Sequence, residues 1–579
     1  ATLATALSDL GVAAREHVAL LADNRIEWII ADYGILLSGA ADVPRGTDVT
    51  DHDITYIIPH SDAKVVFVED ASVLKKVQKN MDQLPNVKTV IMMDKDTSVD
   101  GGVLSMYELI EKGKQLRAGG DKRVEERIAG IKPEDLFTLI YTSGTTGAPK
   151  GVMLMHKNMI SQIDNCPIKI AKTDRVLSIL PVWHVFERVF EMITISRGVP
   201  TYYTNIRNIR DDMGIVKPTF MASAPRLWEN VYLGIRKNLE NAPAINQTLF
   251  GMAYFCARHV KGAGRFLQFK RLDLTGRNPI VSFFTGGFEV IKAILLILPY
   301  LLLDKIVLAK IRAATGGKLN GSVSGGGALP VHVDAFFNNI GIPVLEGYGM
   351  TETSPVLAVR THDKLVIGSV GPIWPGTAIR LIDITTGETI YPNKRGIKGE
   401  IHAKGPQVMK GYYKNPEATE KVLRDGWMNT GDLGIITFNN TLKIVGRSKE
   451  TVVLLSGENV EPVPIENKLV ESALIDQCMV VGQDQKYLSV LIVPNPDAMS
   501  EYGDSVEAIA KSDAAQNMLR EEVKTLISGA NGFKAFERVS DCRLLPKPFE
   551  VGDELTNIFK IKRHIVTDKY EDLIKSMYQ

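Results

Sequence analysis

Tyr141-Thr142-Ser143-Gly144-Thr145-Thr146-Gly147-Ala148-Pro149-Lys150-Gly151 closes a β-rich run, Leu136-Phe137-Thr138-Leu139-Ile140, so a buried strand is expected to run straight into a loop. Four hydroxyls and two glycines fall in the six residues from Thr142 to Gly147. Glycines allow a close backbone approach to a phosphate, and backbone N–H groups with hydroxyls can surround its oxygens. Lys150 adds a cation, and Pro149 stiffens the exit. The spacing Gly144, Gly147, Lys150 does not fit the GxxxxGK[ST] phosphate loop, so a different kind of nucleotide grip is expected.

Outward from this loop, the first two-thirds of the chain alternates short apolar runs (Val65 to Val68, Lys88 to Met93) with longer helical patterns. That alternation predicts an α/β fold: layered sheets covered on both faces in a large N-terminal domain. After about Ile367 short strands and turns take over, as at Ala378 to Asp383, predicting a β-rich subdomain over about 367–445. A further change at Gly446-Arg447-Ser448-Lys449-Glu450 places a boundary there. The large domain is expected over 1–445 and a small α+β domain over 451–579, with 446–450 between them, a helix near Ala514 to Ile527 and a strand near Leu488 to Val493.

With 579 residues more than one core is required. The composition, 45% hydrophobic and 23% charged with a formal net charge of +1, is that of a globular protein. Near-neutral charge, with lysines and arginines spread along the chain, gives no case for nucleic acid. Four scattered cysteines without a CxxC pair read as reduced thiols, and the histidines show no metal-ligand spacing. No secretory signal is expected from the first residues, and with reduced thiols a cytoplasmic location, peripheral on the membrane or not, is the expectation. One apolar run stands out, residues 293–303, AILLILPYLLL. Eleven residues with a proline are too short to span a bilayer. Either a helix or loop folded onto the core, or a membrane-surface patch flanked by Lys292, Lys305 and Lys310, accounts for it.

Further segments follow the loop: Ser324-Gly325-Gly326-Gly327-Ala328-Leu329; Glu346-Gly347-Tyr348-Gly349-Met350-Thr351-Glu352; Gly426-Trp427-Met428-Asn429-Thr430-Gly431-Asp432; Gly446-Arg447-Ser448-Lys449; and Glu554 to Arg563 around Lys560. Tyr348 offers a flat face for a purine, Thr351 a hydroxyl for an α-phosphate, and Glu352 a hard oxygen for magnesium. Asp432 can accept two hydrogen bonds from a ribose diol. In this order and spacing, the set closely resembles the adenylate-forming (AMP-binding) superfamily. The resemblance implies that Gly325, Gly326, Gly327 and Ala328 lay backbone against adenine, with Gly347, Tyr348, Gly349 and Met350 beside it. It implies that Thr145 and Glu352 hold Mg²⁺, that Arg447 adds a ribose contact, that 446–450 is a hinge at Lys449, and that the small domain is mobile. It makes Lys560 the mobile catalytic lysine, with Lys562 the alternative.

The same resemblance implies a two-step reaction: a carboxylate attacks the α-phosphate of ATP, releasing pyrophosphate, and a thiol then displaces AMP from the acyl-adenylate. A domain rotation would exchange Lys560 for Ser456-Gly457-Glu458-Asn459, where Gly457 leaves room for a pantetheine chain. Pro181-Val182-Trp183-His184-Val185-Phe186-Glu187-Arg188 resembles the PxxHxFER pattern of long-chain fatty acyl-CoA synthetases. That likeness implies an acyl tunnel at Trp183 and Phe186, with His184 near the carboxylate. The expected partners are small molecules, namely a fatty acid, ATP and coenzyme A. An acyl-carrier-protein acceptor, a non-catalytic lipid binder, a peripheral membrane contact through 293–303 and a homodimer stay open.

Overall fold

The computed structural model describes residues 1–98, 101–142, 148–555 and 561–578. Two large sheets form the N-terminal body. The first has eight strands and is built on a parallel centre in which His17–Leu21 lies between Ala41–Arg45 and Val65–Val68. Its strands are almost wholly buried, which is why they read as continuous apolar runs rather than alternating ones. The second has six strands, with Phe220–Ser223, Gly321–Ser324 and Val344–Gly349 parallel and Val356–Val359 antiparallel at the edge. A core containing Phe190, Phe220, Leu345 and Trp374 joins the two sheets.

The β-rich part is a third, antiparallel sheet from Ala378–Ile382 to Leu442–Arg447. It is not a sealed unit. Between two of its strands the chain leaves to lay Gly411–Tyr412 against Lys150–Met155 of the first sheet, then returns through the helix Pro416–Val422. Buried Asn158 fixes this excursion, donating to the carbonyls of Pro406 (2.6 Å) and Val408 (3.0 Å).

After Arg447 the backbone turns at residues 448–450 and enters a small body with its own core. There Ile475–Val481, Leu488–Pro494 and Val539–Leu544 form a sheet backed by the helix Asp513–Leu526. Ion pairs that cross between the large and small bodies include Lys237–Asp497 (2.6 Å) and Lys398–Glu461 (2.8 Å).

The apolar run 293–303 is longer in structure than in sequence. It ends a 25-residue helix, Pro279–Leu303, which pairs with the helix Ala244–Leu267. Glycines Gly286 and Gly287, with Thr285 before them, interrupt the apolar pattern without ending the helix, so the sequence showed only its second half. Among the described residues no helix is long and apolar enough to cross a membrane.

Candidate active site

The strands on either side of the phosphate-suited loop pair with each other. Leu136–Thr142 pairs antiparallel with Lys150–Met155, placing Thr142 opposite Lys150 and Tyr141 opposite Gly151. Lys150, expected in the loop, therefore begins the return strand. Residues Ser143, Gly144, Thr145, Thr146 and Gly147 lie outside the described residues, as does Lys560. The strand pair is tied down by the buried Tyr141 hydroxyl, 2.7 Å from His60 Nδ1.

Beside this pair, the Lys150 ammonium sits 5.2 Å from the centre of the Tyr412 ring. The Tyr412 hydroxyl donates to Glu352 Oε1 at 2.8 Å. Glu352 is buried in a single 3₁₀ turn, Thr351–Thr353, that follows Val344–Gly349, and Thr351 is buried with it. Burial pushes the Glu352 carboxyl above its ordinary range, while the Tyr412 hydrogen bond and the charges of Lys150 and Arg447 pull it back. Tyr412 was invisible as a site residue in the sequence. It belongs to no motif, and only the strand pairing at Gly411–Tyr412 brings it here.

A second carboxylate centre is met by Tyr348, four residues back along the same segment. The Tyr348 hydroxyl donates to Asp432 Oδ2 at 2.7 Å, and Arg447 Nε lies 3.0 Å from Asp432 Oδ1. Asp432 and Arg447 are cross-strand partners, so the pair is set by sheet register rather than by long side chains reaching. One carboxylate oxygen thus meets the Tyr348 hydroxyl and the other the Arg447 guanidinium.

The glycine segment leaves the parallel strand Gly321–Ser324 at its carboxyl end, the usual ligand side of such sheets. Gly326 has φ +83°, and a Cβ on Gly325 would meet the Phe186 ring at 3.2 Å. Glu346 fastens the segment by accepting from the Leu329 N–H (3.1 Å). It is itself held by Arg360, which also clasps Asp334 through two bonds of 2.7 and 2.8 Å. Burial pushes the Glu346 carboxyl up, against the pull of the Arg360 charge. At Gly349 a Cβ would collide with the Pro355 carbonyl, so the turn into Met350 needs glycine. Gly347 packs on Val359, and Ala328 follows the loop.

His184 caps the helix Val185–Ser196, accepting from the Phe186 N–H at 3.4 Å, and that helix carries Phe186 onto Gly325. Trp183 goes elsewhere. Its indole donates to Asp23 (3.3 Å) and lies under Arg45, against the first sheet. On the small body, Gly457 has φ +89° with open space around it, and the Ser456 hydroxyl donates to Glu458. Lys449 is exposed in the turn after Arg447. Leu555 and Ile561 bridge the ends of the segment that bears Lys560, and Arg563 anchors it on Glu466 (2.5 Å). The ammonium of Lys562 is occupied by the Gly552 carbonyl at 3.2 Å.

The family model described as AMP-binding enzyme matches residues 1–413, and that of the AMP-binding enzyme C-terminal domain matches 449–579. The chain is similar to the long-chain-fatty-acid–acyl-carrier-protein ligase AEE15, chloroplastic, of Arabidopsis thaliana, at 34% identity over 99% of this chain and 81% of that protein. It is similar at 30% identity to the long-chain-fatty-acid–CoA ligase FadD15 of Mycobacterium tuberculosis, over 99% of this chain and 90% of that one. Among solved structures, the adenylation domain of a carboxylate reductase from Mycobacterium chelonae superposes with a TM-score of 0.72 at 21% identity, covering 100% of this chain and 82% of that one.

Proposed function

We propose that this chain, which belongs to the AMP-binding enzyme family, activates a long-chain fatty acid with ATP and passes the acyl group to the thiol of coenzyme A. The observation that carries the reading is the pair of carboxylate centres gathered around the segment Tyr348 to Glu352, Lys150–Tyr412–Glu352 at one end and Tyr348–Asp432–Arg447 at the other. One suits a cation-bridged phosphate and the other a ribose, and the charge of Arg447 acts on both.

In the first step a carboxylate oxygen bonds to the α-phosphorus of ATP while the bond to the β-phosphate oxygen breaks and pyrophosphate leaves. Attacker and ATP are both anionic, so positioned cations carry much of the stabilisation. Lys150, the hydroxyls of Thr142 to Thr146, and Lys560 supply it in this reading. His184 stands by the acid and Phe186 closes the adenine loop against the acyl path. Magnesium fits the residues present: it asks for one or two carboxylates beside substrate phosphates, and Glu352 with Thr145 is a hard-oxygen set of that kind, the Thr351 hydroxyl being left for the α-phosphate. When bound, it would neutralise phosphate charge. In the second step the thiol sulfur bonds to the acyl carbon, the bond to AMP breaks, and AMP leaves. Rotation about Lys449 would withdraw Lys560 and bring in Ser456 and Gly457.

The test is fatty-acid-dependent ATP–pyrophosphate exchange across a chain-length panel. Exchange that is indifferent to added long-chain acid would sink the proposal. An acyl-carrier protein is the second reading for the acceptor, favoured by the resemblance to AEE15 over nearly the whole chain. Replacing coenzyme A by holo carrier protein in the same assay separates the two.

A further inference from the structure

The helix Pro279–Leu303 is apolar on two sides. Its inner side rests on the core through Leu303 and, partly, Leu296 and Tyr300. Its outer side carries Phe284, Phe288, Ile291, Leu295, Leu298 and Leu302, spaced four, three, four, three and four residues apart. That spacing is a continuous stripe down one helical face. Each of the six exposes between 57 and 75% of its surface. Six large side chains this bare present on the order of 700 Å², above the 300–600 Å² of the largest patch on a typical monomer. Near the helix start the stripe opens into an apolar trough of about 730 Å³ whose lining includes Phe266, Phe269 and Phe283, with the Arg277 guanidinium at its wall.

The charge around the stripe is one-sided. Residues 244–320 hold eleven lysines and arginines against three acidic residues, in a chain whose total is only +1. The basic residues are therefore not evenly spread, as a reading of the total alone suggests. The three acids are already engaged: Glu289 pairs with Lys292 and Arg271, Asp304 with Arg312, and Asp273 with Arg277. Lys305 and Lys310, exposed at the far end, make no ion pair among the described residues.

We propose that the paired helices Ala244–Leu267 and Pro279–Leu303 form a docking surface for an anionic lipid bilayer, with the second helix lying in the interface rather than crossing it. A helix of 25 residues is about 38 Å long, and laid flat it would immerse the whole stripe while keeping its cationic neighbours at headgroup level. Charge selects this occupant over a second copy of the chain, because face-to-face pairing would oppose two strongly basic segments. The proposal stands on the surface alone and does not depend on which acid or thiol acceptor the enzyme uses.

Flotation of the full chain with vesicles of phosphatidylcholine doped with phosphatidylglycerol tests it against pure phosphatidylcholine vesicles. The parent protein is expected to float with anionic vesicles and to be released by high salt. Phe284→Glu/Leu295→Glu/Leu298→Glu, all at exposed positions, should lower partitioning by at least about a hundredfold. Lys305→Ala/Lys310→Ala should lower it roughly ten- to thirtyfold on anionic vesicles and leave the neutral ones unchanged, at about 1 kcal/mol per cation. Equal flotation of parent and triple variant, or no flotation of the parent with anionic vesicles, overturns the proposal. So does light scattering that shows a dimer of the parent abolished by the triple substitution, which would assign the face to a second copy.

Discussion

Replacing Tyr412 by Phe removes one oxygen from the proposed phosphate centre and leaves the ring beneath Lys150. The hydroxyl donates to Glu352 at 2.8 Å with both groups largely buried, so it is a charge-assisted bond in a poorly hydrated place. Its own proton is secure, because burial and the neighbouring carboxylate push the phenol well above its ordinary value. A hydrogen bond to a charged partner is worth about 1.5–3 kcal/mol, or roughly 10- to 150-fold in any step that needs Glu352 ionised. The direction with pH follows from the causes. Burial raises the Glu352 carboxyl and Tyr412 lowers it, so losing the hydroxyl raises it further and more proton is held at a given pH. ATP–pyrophosphate exchange with a long-chain acid should therefore lose activity most at low pH, its acidic limb moving to higher pH. Added magnesium should recover part of the loss by favouring the ionised carboxylate. Exchange within twofold of the parent, with the limb unmoved, would refute the link between Tyr412 and Glu352. A uniform loss at every pH with an equal fall in melting temperature would show a packing role instead.

Lys560→Ala should abolish adenylate formation yet spare thioester formation from supplied acyl-adenylate, measured as two separate half-reactions; equal loss of both would end the division of labour. Gly457→Val should do the reverse, since a branched side chain at φ +89° strains the backbone and fills the space meant for a thiol's approach; the readout is acyl transfer from preformed adenylate. Glu191, buried beside Arg188, is raised to about 7 by desolvation, against an unfolded value near 4.3. The folded state thus holds this proton more tightly: its stabilising effect is full below about pH 4, fades as pH rises towards 7, and its loss costs about 3 kcal/mol by pH 8. Glu191→Gln should therefore raise stability at about pH 8 and flatten the decline from pH 6 in urea titrations, and an unchanged slope would count against it.

The strands around the loop were legible because burial on both faces forces unbroken apolar runs, and Val65–Val68, Thr89–Met92 and Leu136–Thr142 stand where those runs lie. The small body was legible for a related reason: Leu488–Pro494 is a short, nearly unbroken apolar run buried throughout, whereas Asp513–Leu526 buries Ala515, Leu519 and Val523 at helical spacing. The Glu352 and Asp432 centres were also foreseeable, since each carboxylate closes a segment of tight glycines. What completes them was not. Tyr412 reaches Glu352 only because the chain leaves one sheet for another, and Arg360 reaches Glu346 from across an antiparallel turn. No local pattern encodes pairing between sheets.

The same limit explains why Trp183 and Phe186 part company. They are three residues apart, straddling the start of the helix Val185–Ser196. Residues before a helix and inside its first turn need not share a face, and here the chain enters the helix between the two sheets. Trp183 is spent on Asp23 and Arg45, while Phe186 is delivered to Gly325. Any control of the acid by this segment is therefore sought at Phe186, whose ring touches the glycine turn that the proposal gives to adenine. A side chain that contacts both the nucleotide turn and the acyl path would couple acid length to adenylation itself. Phe186→Ala should then change the chain-length profile of pyrophosphate exchange, whereas Trp183→Ala should lower stability and leave the profile alone. The opposite pattern would move the acyl path to the first sheet.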